Sequence, residues 1–351
     1  MANLEIGIVG VPGCGKTTLL NALSNAGAGT GGYSAGGKAN MAIAPVPDLR
    51  LNPLANTCGA LKIVPASIQL VDLPGITIGA ESGGRGAAEL LGQVRQVDAL
   101  IHVVRCFDAA GIDPEPLNDL EGLEVELVAQ DAEHTDRRLK NARSQAKSGI
   151  KEANDLVGEL EAFSAHLNDG APARTYAGDV PSVLDLLTDK PVLYVANTDE
   201  SGSPGYAAIV EEYARDNGGS AVAMCAQVEA EIATLDADER LAFLEEMGID
   251  EPGVNRVARA AFALLDLITF FTVGEKETRA WLVRRGADAQ EAAGKIHSDI
   301  ARGFIRAEVI DTDDLLEHGS HQEVAKVGKM RLEGKTYTVR DGDVLNVRFN
   351  V

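Results

Sequence analysis

The octapeptide Gly10-Val11-Pro12-Gly13-Cys14-Gly15-Lys16-Thr17 reads G-x-x-x-x-G-K-T and ends in a lysine and a hydroxyl. Glycines at this spacing let successive backbone N–H groups face one anion. The lysine supplies a charge for the β- and γ-oxygens of a polyphosphate, and the threonine hydroxyl can ligate Mg²⁺. This is nucleoside triphosphate chemistry, with Gly13, Cys14, Gly15, Lys16, Thr17 and Thr18 on the phosphates. Farther on, Asp72-Leu73-Pro74-Gly75 offers a carboxylate that can hold Mg²⁺ through water and a Gly75 N–H that can meet a γ-phosphate. Lys16, Thr17, Asp72 and Gly75 form the expected catalytic set, with Thr17 and Asp72 as the metal contacts. A third group, Asn197-Thr198-Asp199-Glu200, stands where a guanine-specific site would read N-K-x-D. In that pattern the aspartate accepts two hydrogen bonds from guanine and the lysine stem lies along the base. Glu200 is one methylene longer and Thr198 has no stem, so relaxed or adenine-preferring recognition by Asn197, Thr198 and Glu200 is expected.

These groups must be delivered by strands whose ends lie side by side. Leu4–Val9 is a short apolar run directly before the loop, and Thr18–Leu23 has helical character directly after it. Ser67–Val71 alternates and ends at Asp72; Ala99–Arg105 is apolar; Pro191–Ala196 delivers Asn197, with Pro191 tolerated as a first strand residue. Strands separated by helical stretches predict an α/β fold with a mainly parallel sheet. Asp72 and Asn197 are 125 residues apart, about twice what the intervening elements of a minimal domain need, which predicts an insertion. Within it Leu139, Ala142, Ala146, Ile150, Ala153, Val157, Leu160 and Leu167 recur at spacings of three and four, a coiled-coil-like seam. Gly149 and Gly158 weaken a single rod, so an antiparallel helical pair is expected. Lys140, Arg143, Lys147 and Lys151 share one stripe of that pair, either a phosphate-backbone contact or a solvated face. Near the C-terminus, 334–343 reads as a strand with an Asp341-Gly342 turn, and Val344–Val351 as a closing strand. No nucleophile or metal-type cluster accompanies His297, which is expected to pack or cap; His102, inside its strand, is expected to be packed or hydrogen-bonded.

Composition narrows the classes. A chain of 351 residues with 45% hydrophobic residues can bury two or three cores. The net charge of −21 excludes indiscriminate attraction to nucleic acid, yet the stretch from Leu267 onward carries 13 basic against 14 acidic residues. An acidic body with a nearly neutral tail fits a partner that meets only part of the surface. Four cysteines, Cys14, Cys58, Cys106 and Cys225, show no C-x-x-C spacing and predict reduced thiols without a structural zinc. No run approaches the roughly 18 apolar residues of a membrane span, and the first strand begins almost at Met1, so a cytoplasmic chain with no membrane partner is expected.

Taken together, the P-loop, Asp72–Gly75, His102-Val103-Val104-Arg105-Cys106-Phe107, the Asn197–Glu200 group, Glu251-Pro252-Gly253-Val254-Asn255-Arg256-Val257 and the block from Phe270 to Val351 resemble the Obg-like ATPase (YchF) family of translation-factor-class P-loop NTPases. The resemblance covers essentially the whole chain. It implies a P-loop NTPase domain over 1–124 and 179–266, a helical coiled-coil insertion over 125–178, and a C-terminal TGS domain of the β-grasp, α+β type over 267–351. It further implies that Cys225, Ala226 and Gln227 close the base pocket through backbone contacts. The implied activity is slow Mg²⁺-dependent hydrolysis of ATP, with GTP as a second substrate, by a ribosome-associated switch in translation or stress regulation. Ribosomal RNA would meet the insertion and the TGS domain, and the chain would work as a monomer. Ile76 stands where small signalling GTPases carry a water-orienting glutamine, hence the low expected rate. Two departures limit the carry-over. Gly13 replaces an asparagine with which many relatives could help hold a monovalent cation, and 31–37 lacks the threonine that best aligns with Gly36, so neither potassium stimulation nor a second Mg²⁺ ligand follows. A competing class is a nucleotide-gated protein-binding module with incidental hydrolysis. A small-molecule kinase fits poorly, because D-x-x-G and N-x-x-E already assign the pocket to a switch.

Overall fold

The computed structural model describes residues 4–25, 40–73, 85–109, 111–147 and 151–350. Gly75, Ile76 and the glycine-rich 31–37 lie outside them. In chain order the first part runs β1 (Glu5–Val9), α1 (Lys16–Asn25), β2 (Asn40–Val46), α2 (Leu51–Thr57), β3 (Ile63–Val64), β4 (Ala66–Asp72), α3 (Arg85–Gln96) and β5 (Ala99–Cys106). Next come α4 (Pro116–Ala146), α5 (Lys151–Asn168), β6 (Val192–Thr198), α6 (Pro204–Asp216), β7 (Ser220–Met224), α7 (Ala226–Ile232), α8 (Ala237–Met247) and α9 (Gly253–Leu264). The last part holds β8 (Leu267–Thr272), β9 (Thr278–Arg284), α10 (Ala289–Ile296), α11 (Ser298–Arg302), β10 (Phe304–Asp311), α12 (Thr312–His318), α13 (His321–Lys326), β11 (Arg331–Glu333) and β12 (Asp343–Phe349). None of the described helices is long and apolar enough to cross a membrane.

The chain divides into two compact units, 1–44 with 69–261 and 45–68 with 262–351. A six-stranded sheet ordered β2-β4-β1-β5-β6-β7 organises the first. β1 pairs in parallel with β4 on one side and β5 on the other, and β5, β6 and β7 continue in parallel. Every residue of β6 is buried, as a central parallel strand covered on both faces requires. Because successive connections leave β1 in opposite directions, a crevice opens beyond the carboxyl ends of the strands at this switch point.

Helix α4 is 31 residues long and uninterrupted across 124–125. Its first half sends Leu120, Leu123 and Leu127 into the core that holds Val104, Cys106 and Tyr194, while farther along Leu139 and Ala142 pack on Leu160 of α5. The insertion therefore grows out of a helix of the nucleotide domain instead of beginning with one of its own at 125. The hydrogen bonds Arg143–Glu161 and Ser164–Asp136 advance along α5 as they retreat along α4, so the two helices are antiparallel. Ile150 of the expected seam lies outside the described residues, and Ala146 is only half-buried.

The second unit carries a mixed sheet ordered β11-β10-β12-β8-β9-β3. The β8–β9 hairpin, β12 parallel to β8, and β10 antiparallel to β12 give the β-grasp order. Phe270, Val283, Ala289, Ala292, Phe304 and Leu345 form its core around α10. Residues 45–68, expected with the nucleotide domain, belong here: α2 packs against α12 and β9, and β3 pairs in parallel with β9. Arg50 fastens the segment, donating to Asp48 and Asp341 at 2.7 Å each and standing over the Phe271 ring. The expected strand over 334–343 is also corrected. A turn at Gly334–Tyr337 is followed by a lone bridge at Thr338, because Ala289 N–H donates to the Tyr337 carbonyl and Val339 N–H to Ala287, at and just before the start of α10. The Asp341-Gly342 turn lies at the expected place and leads directly into β12.

Candidate functional site

The phosphate loop follows β1 and its conformation is set by three glycines. Gly10, Gly13 and Gly15 have φ of 147°, 78° and 99°, and a Cβ on Gly10 would lie 2.4 Å from the Val103 carbonyl of β5. Only glycine lets the loop turn this closely on its own sheet. Lys16 opens α1 and reaches back across the loop, its Nζ donating to the Gly10 and Val11 carbonyls at 2.9 Å each. The ammonium is thereby held among the backbone groups that would meet a polyphosphate.

Thr17, next on α1, donates its hydroxyl to Asp72 Oδ2 at 3.0 Å. The other carboxylate oxygen, Asp72 Oδ1, is buried and has no hydrogen-bond partner among the described residues. A hydroxyl beside a carboxylate with an unsatisfied buried oxygen is a donor set of hard oxygens suited to Mg²⁺, so the residues present fit the ion. By contrast, the carboxylate–histidine group Asp314, Glu317 and His318 is already bridged by Lys329, which bonds both carboxylates.

Asn197, at the end of β6, is almost fully buried and bridges two loops. Its Nδ2 donates to the Cys14 carbonyl and its Oδ1 accepts from Ala226 N–H, both at 2.9 Å. The side chain thus ties the phosphate loop to the start of α7. Beside it opens a cavity of about 470 Å³ lined by Gly13, Gly15, Thr18, Asn197, Thr198, Glu200, Cys225, Ala226 and Gln227. Cys14, Lys16 and Thr17 do not line it; the Cys14 side chain is buried, and burial raises its thiol pKa. Reading the sequence missed Phe107, Asp108, Asp199 and Ser201, which also line the cavity. Asp199 accepts from the Ser201 hydroxyl at 2.6 Å and the Ser201 N–H at 3.0 Å, and these bonds hold its carboxyl below the usual range. Phe107 and Asp108 follow β5, and the position of that strand between β1 and β6 was the signal that its carboxyl end belongs to the crevice.

The histidines fall outside the cavity. His102 is buried in β5 beside Tyr194; burial, then the charges of Arg174 and Lys16, bring its pKa down to about 3, so it is a neutral packed residue. His297 caps α11 through Nδ1, which accepts from Asp299 N–H. Behind the cavity, Glu229 of α7 accepts from the Gly253 and Val254 N–H groups that open α9, and Arg256 donates to the Ala223 carbonyl of β7. The Glu251–Val257 motif thus braces the helix that carries Ala226 and Gln227.

Comparison with known proteins gives one consistent result. A family model described as 50S ribosome-binding GTPase matches residues 5–147, and a YchF C-terminal model, described as a protein of unknown function (DUF933), matches 267–350. The ribosome-binding ATPases YchF of Haemophilus influenzae and of Bacillus subtilis are each 40% identical to this chain, with 99% of it and 99% and 100% of the relatives covered. A solved structure, the YchF GTPase of Schizosaccharomyces pombe, superposes with a TM-score of 0.86 at 28% identity, over 99% of this chain and 98% of that one.

Proposed function

This chain belongs to the YchF family, and on that premise we propose that it is a slow, Mg²⁺-dependent nucleoside triphosphatase that prefers ATP and acts as a switch on the ribosome. The observation that carries the reading is Asn197, whose two hydrogen bonds join the phosphate loop to the start of α7 beside a cavity of about 470 Å³ at the switch point of a parallel sheet. Lys16 and the backbone from Gly13 to Thr18 hold the phosphates in this reading, with Gly75 N–H at the γ-phosphate. Thr17 and Asp72 would hold Mg²⁺, which when bound offsets negative charge on the phosphate oxygens. Thr198, Glu200 and the Cys225–Gln227 backbone surround the base. Glu200 in place of aspartate removes the short carboxylate that enforces guanine, and Ile76 supplies neither a base nor an orienting group for water. Hydrolysis is therefore slow until a partner completes the site.

The partner side of the proposal rests on the helical pair. The relatives from Haemophilus influenzae and Bacillus subtilis are named ribosome-binding ATPases. In a chain of net charge −21, Arg137, Arg138, Lys140, Arg143 and Lys147 are all exposed along the second half of α4 and its C-cap, and Arg143 is held by Glu161. A cationic helix on an acidic body selects an anionic polymer locally, so ribosomal RNA meets this hairpin, with the C-terminal domain as a second contact. The chain works in the cytoplasm as a monomer. Titration of nucleotide-free protein with ATP and GTP, with ribosome co-sedimentation in each nucleotide and a nonhydrolysable analogue, tests both halves. GTP binding tenfold tighter than ATP removes the base assignment, and sedimentation indifferent to nucleotide removes the switch.

A further inference from the structure

We propose that Arg174, remote from the cavity, is the positioning residue that couples the helical insertion to base recognition. It lies in the 3-10 turn Ala173–Thr175 that leads out of α5, and its side chain is only 8% exposed. Its Nη2 donates to Glu124 Oε2 of α4 at 2.6 Å and to the Tyr194 hydroxyl of β6 at 3.0 Å. Its Nε donates to the Asn217 carbonyl at 2.7 Å, and Nη1 to the Thr188 carbonyl at 3.2 Å. One guanidinium therefore joins α4, the segment entering β6, β6 itself, and the turn entering β7.

Those two strands are the ones that deliver Asn197–Ser201 and Cys225–Gln227 at their far ends. Tyr194 precedes Asn197 by three residues, about 10 Å along a strand that rises ~3.3 Å per residue. The turn before β7 is drawn close enough only because residue 219 is glycine: a Cβ there would lie 2.6 Å from the Tyr194 ring and 3.0 Å from the Val192 carbonyl. Bulk packing does not explain a buried guanidinium, since a well-packed apolar side chain of similar volume is often as stable or more so. What the fixed fork of donors adds is registration of separate segments at defined distances. A partner that tilts α4 shifts Glu124, and through Arg174 the entry ends of β6 and β7. By linkage, the base bound at their exit ends biases the insertion in return.

The inference rests on reading the cavity as the base site, and two probes separate them: MgATP, and Mg-tripolyphosphate, which has no base. Calorimetry uses the full-length, nucleotide-free chain. Arg174→Met is expected to weaken ATP by a factor within the roughly 5- to 150-fold range of site couplings and tripolyphosphate by several-fold less, because the phosphate loop rises from β1, makes no bond to Arg174 and meets β6 through the single Asn197–Cys14 bond. Arg174→Lys restores part of the ATP affinity. Tyr194→Phe, which removes one hydroxyl and keeps the ring, shows a smaller loss of the same selectivity and serves if the methionine variant does not fold. Unchanged ATP affinity in the variants, or equal losses for the two probes, overturns the coupling. Failure of the wild-type chain to prefer ATP over tripolyphosphate overturns the base-site reading and the coupling with it.

Discussion

Asn197 spends both ends of one amide on partners 183 and 29 residues away in sequence, Cys14 and Ala226. Asn197→Ala breaks both bonds and leaves a buried carbonyl and N–H unpaired, at about 1–3 kcal/mol for each unsatisfied group. Most of that cost falls on the free and bound protein alike; with about 1.4–2.8 kcal/mol of it specific to the bound state, ATP affinity is expected to fall about ten- to a hundredfold, at 1.4 kcal/mol per decade. Gly15→Ala should do similar damage, since its Cβ would meet Asn197 Nδ2 at 2.2 Å in a backbone with φ of 99°. Titration with a fluorescent ATP analogue checks both, and a loss below threefold in Asn197→Ala would refute the bridging role. The motif was legible in sequence, but its partners were not, because hydrogen bonds across loops leave no local spacing. His102 gives a second prediction. Its folded pKa of about 3 lies below the ordinary value of 6.5, so between those pH values the unfolded chain binds more protons. Stability therefore rises with pH across that window and is lost as acid approaches pH 3. With Arg174, Lys16 and Tyr194 as its surroundings and Nε2 unpartnered among the described residues, His102→Leu keeps the fold at pH 7 and flattens this dependence by up to about 1.4 kcal/mol per pH unit. Urea denaturation at pH 4, 5, 6 and 7 measures the slope, and an unchanged slope in the variant defeats the assignment.

At the scale of elements, strand and helix periodicity in the nucleotide domain carried over well, because buried parallel strands read as continuous apolar runs and loop glycines mark their ends. β6 is seven buried residues, and β5 has one half-buried residue among eight. What did not carry over is bracing between elements. The Glu251–Val257 motif was visible as a motif, but its task, holding α7 against α9 through Glu229, depends on a residue that reads as an ordinary helical glutamate. Gly253 is required there, since a Cβ would stand 2.8 Å from Glu229 Oε1 and 2.9 Å from Met224 Cβ. Gly253→Ala must displace a carboxylate that is buried and whose pKa burial has already raised. Loss of its caps and overpacking together are expected to cost about 2–4 kcal/mol. Nucleotide affinity should fall too, because α7 presents Ala226 and Gln227 to the cavity. Equilibrium denaturation, read beside an ATP titration, tests this, and a midpoint equal to wild type would show that α7 needs no such brace. The region over 334–343 failed as a strand for a related reason: Tyr337 and Val339 point into the core as a strand would require, but their backbone bonds go to residues 289 and 287.

Over the whole molecule, the least legible feature was the path of the chain, which leaves the first unit after Ala44, contributes α2 and β3 to the second, and returns at Gln69. Residues 45–68 hold a short helix and a two-residue strand, too little for periodicity to say which core they join, and the Arg50–Asp341 ion pair that fixes them spans 291 residues. Charge, in contrast, was legible at this scale. The sequence has no acidic residue between Arg137 and Lys147, five basic residues lie there, and the fold exposes all five along one helix and its cap. With an overall charge of −21, attraction to an anionic polymer must be local, so reversing a few charges should have a large effect on binding and little on the fold. Lys140 and Lys147 suit the test because they are exposed and remote from the cavity lining, whereas Arg143 is tied to Glu161. Removing one lysine–phosphate ion pair lowers the slope of log affinity against log salt by about 0.7–0.9. The double variant Lys140→Glu/Lys147→Glu is expected to sediment with ribosomes at least ~tenfold more weakly at low salt and to show a slope shallower by about 1.5. Its ATP affinity and thermal midpoint should remain at wild-type values. A parallel drop at every salt concentration, with the slope unchanged, would mean that the hairpin meets a protein surface or a polar rim, and would move the binding of RNA off this helix.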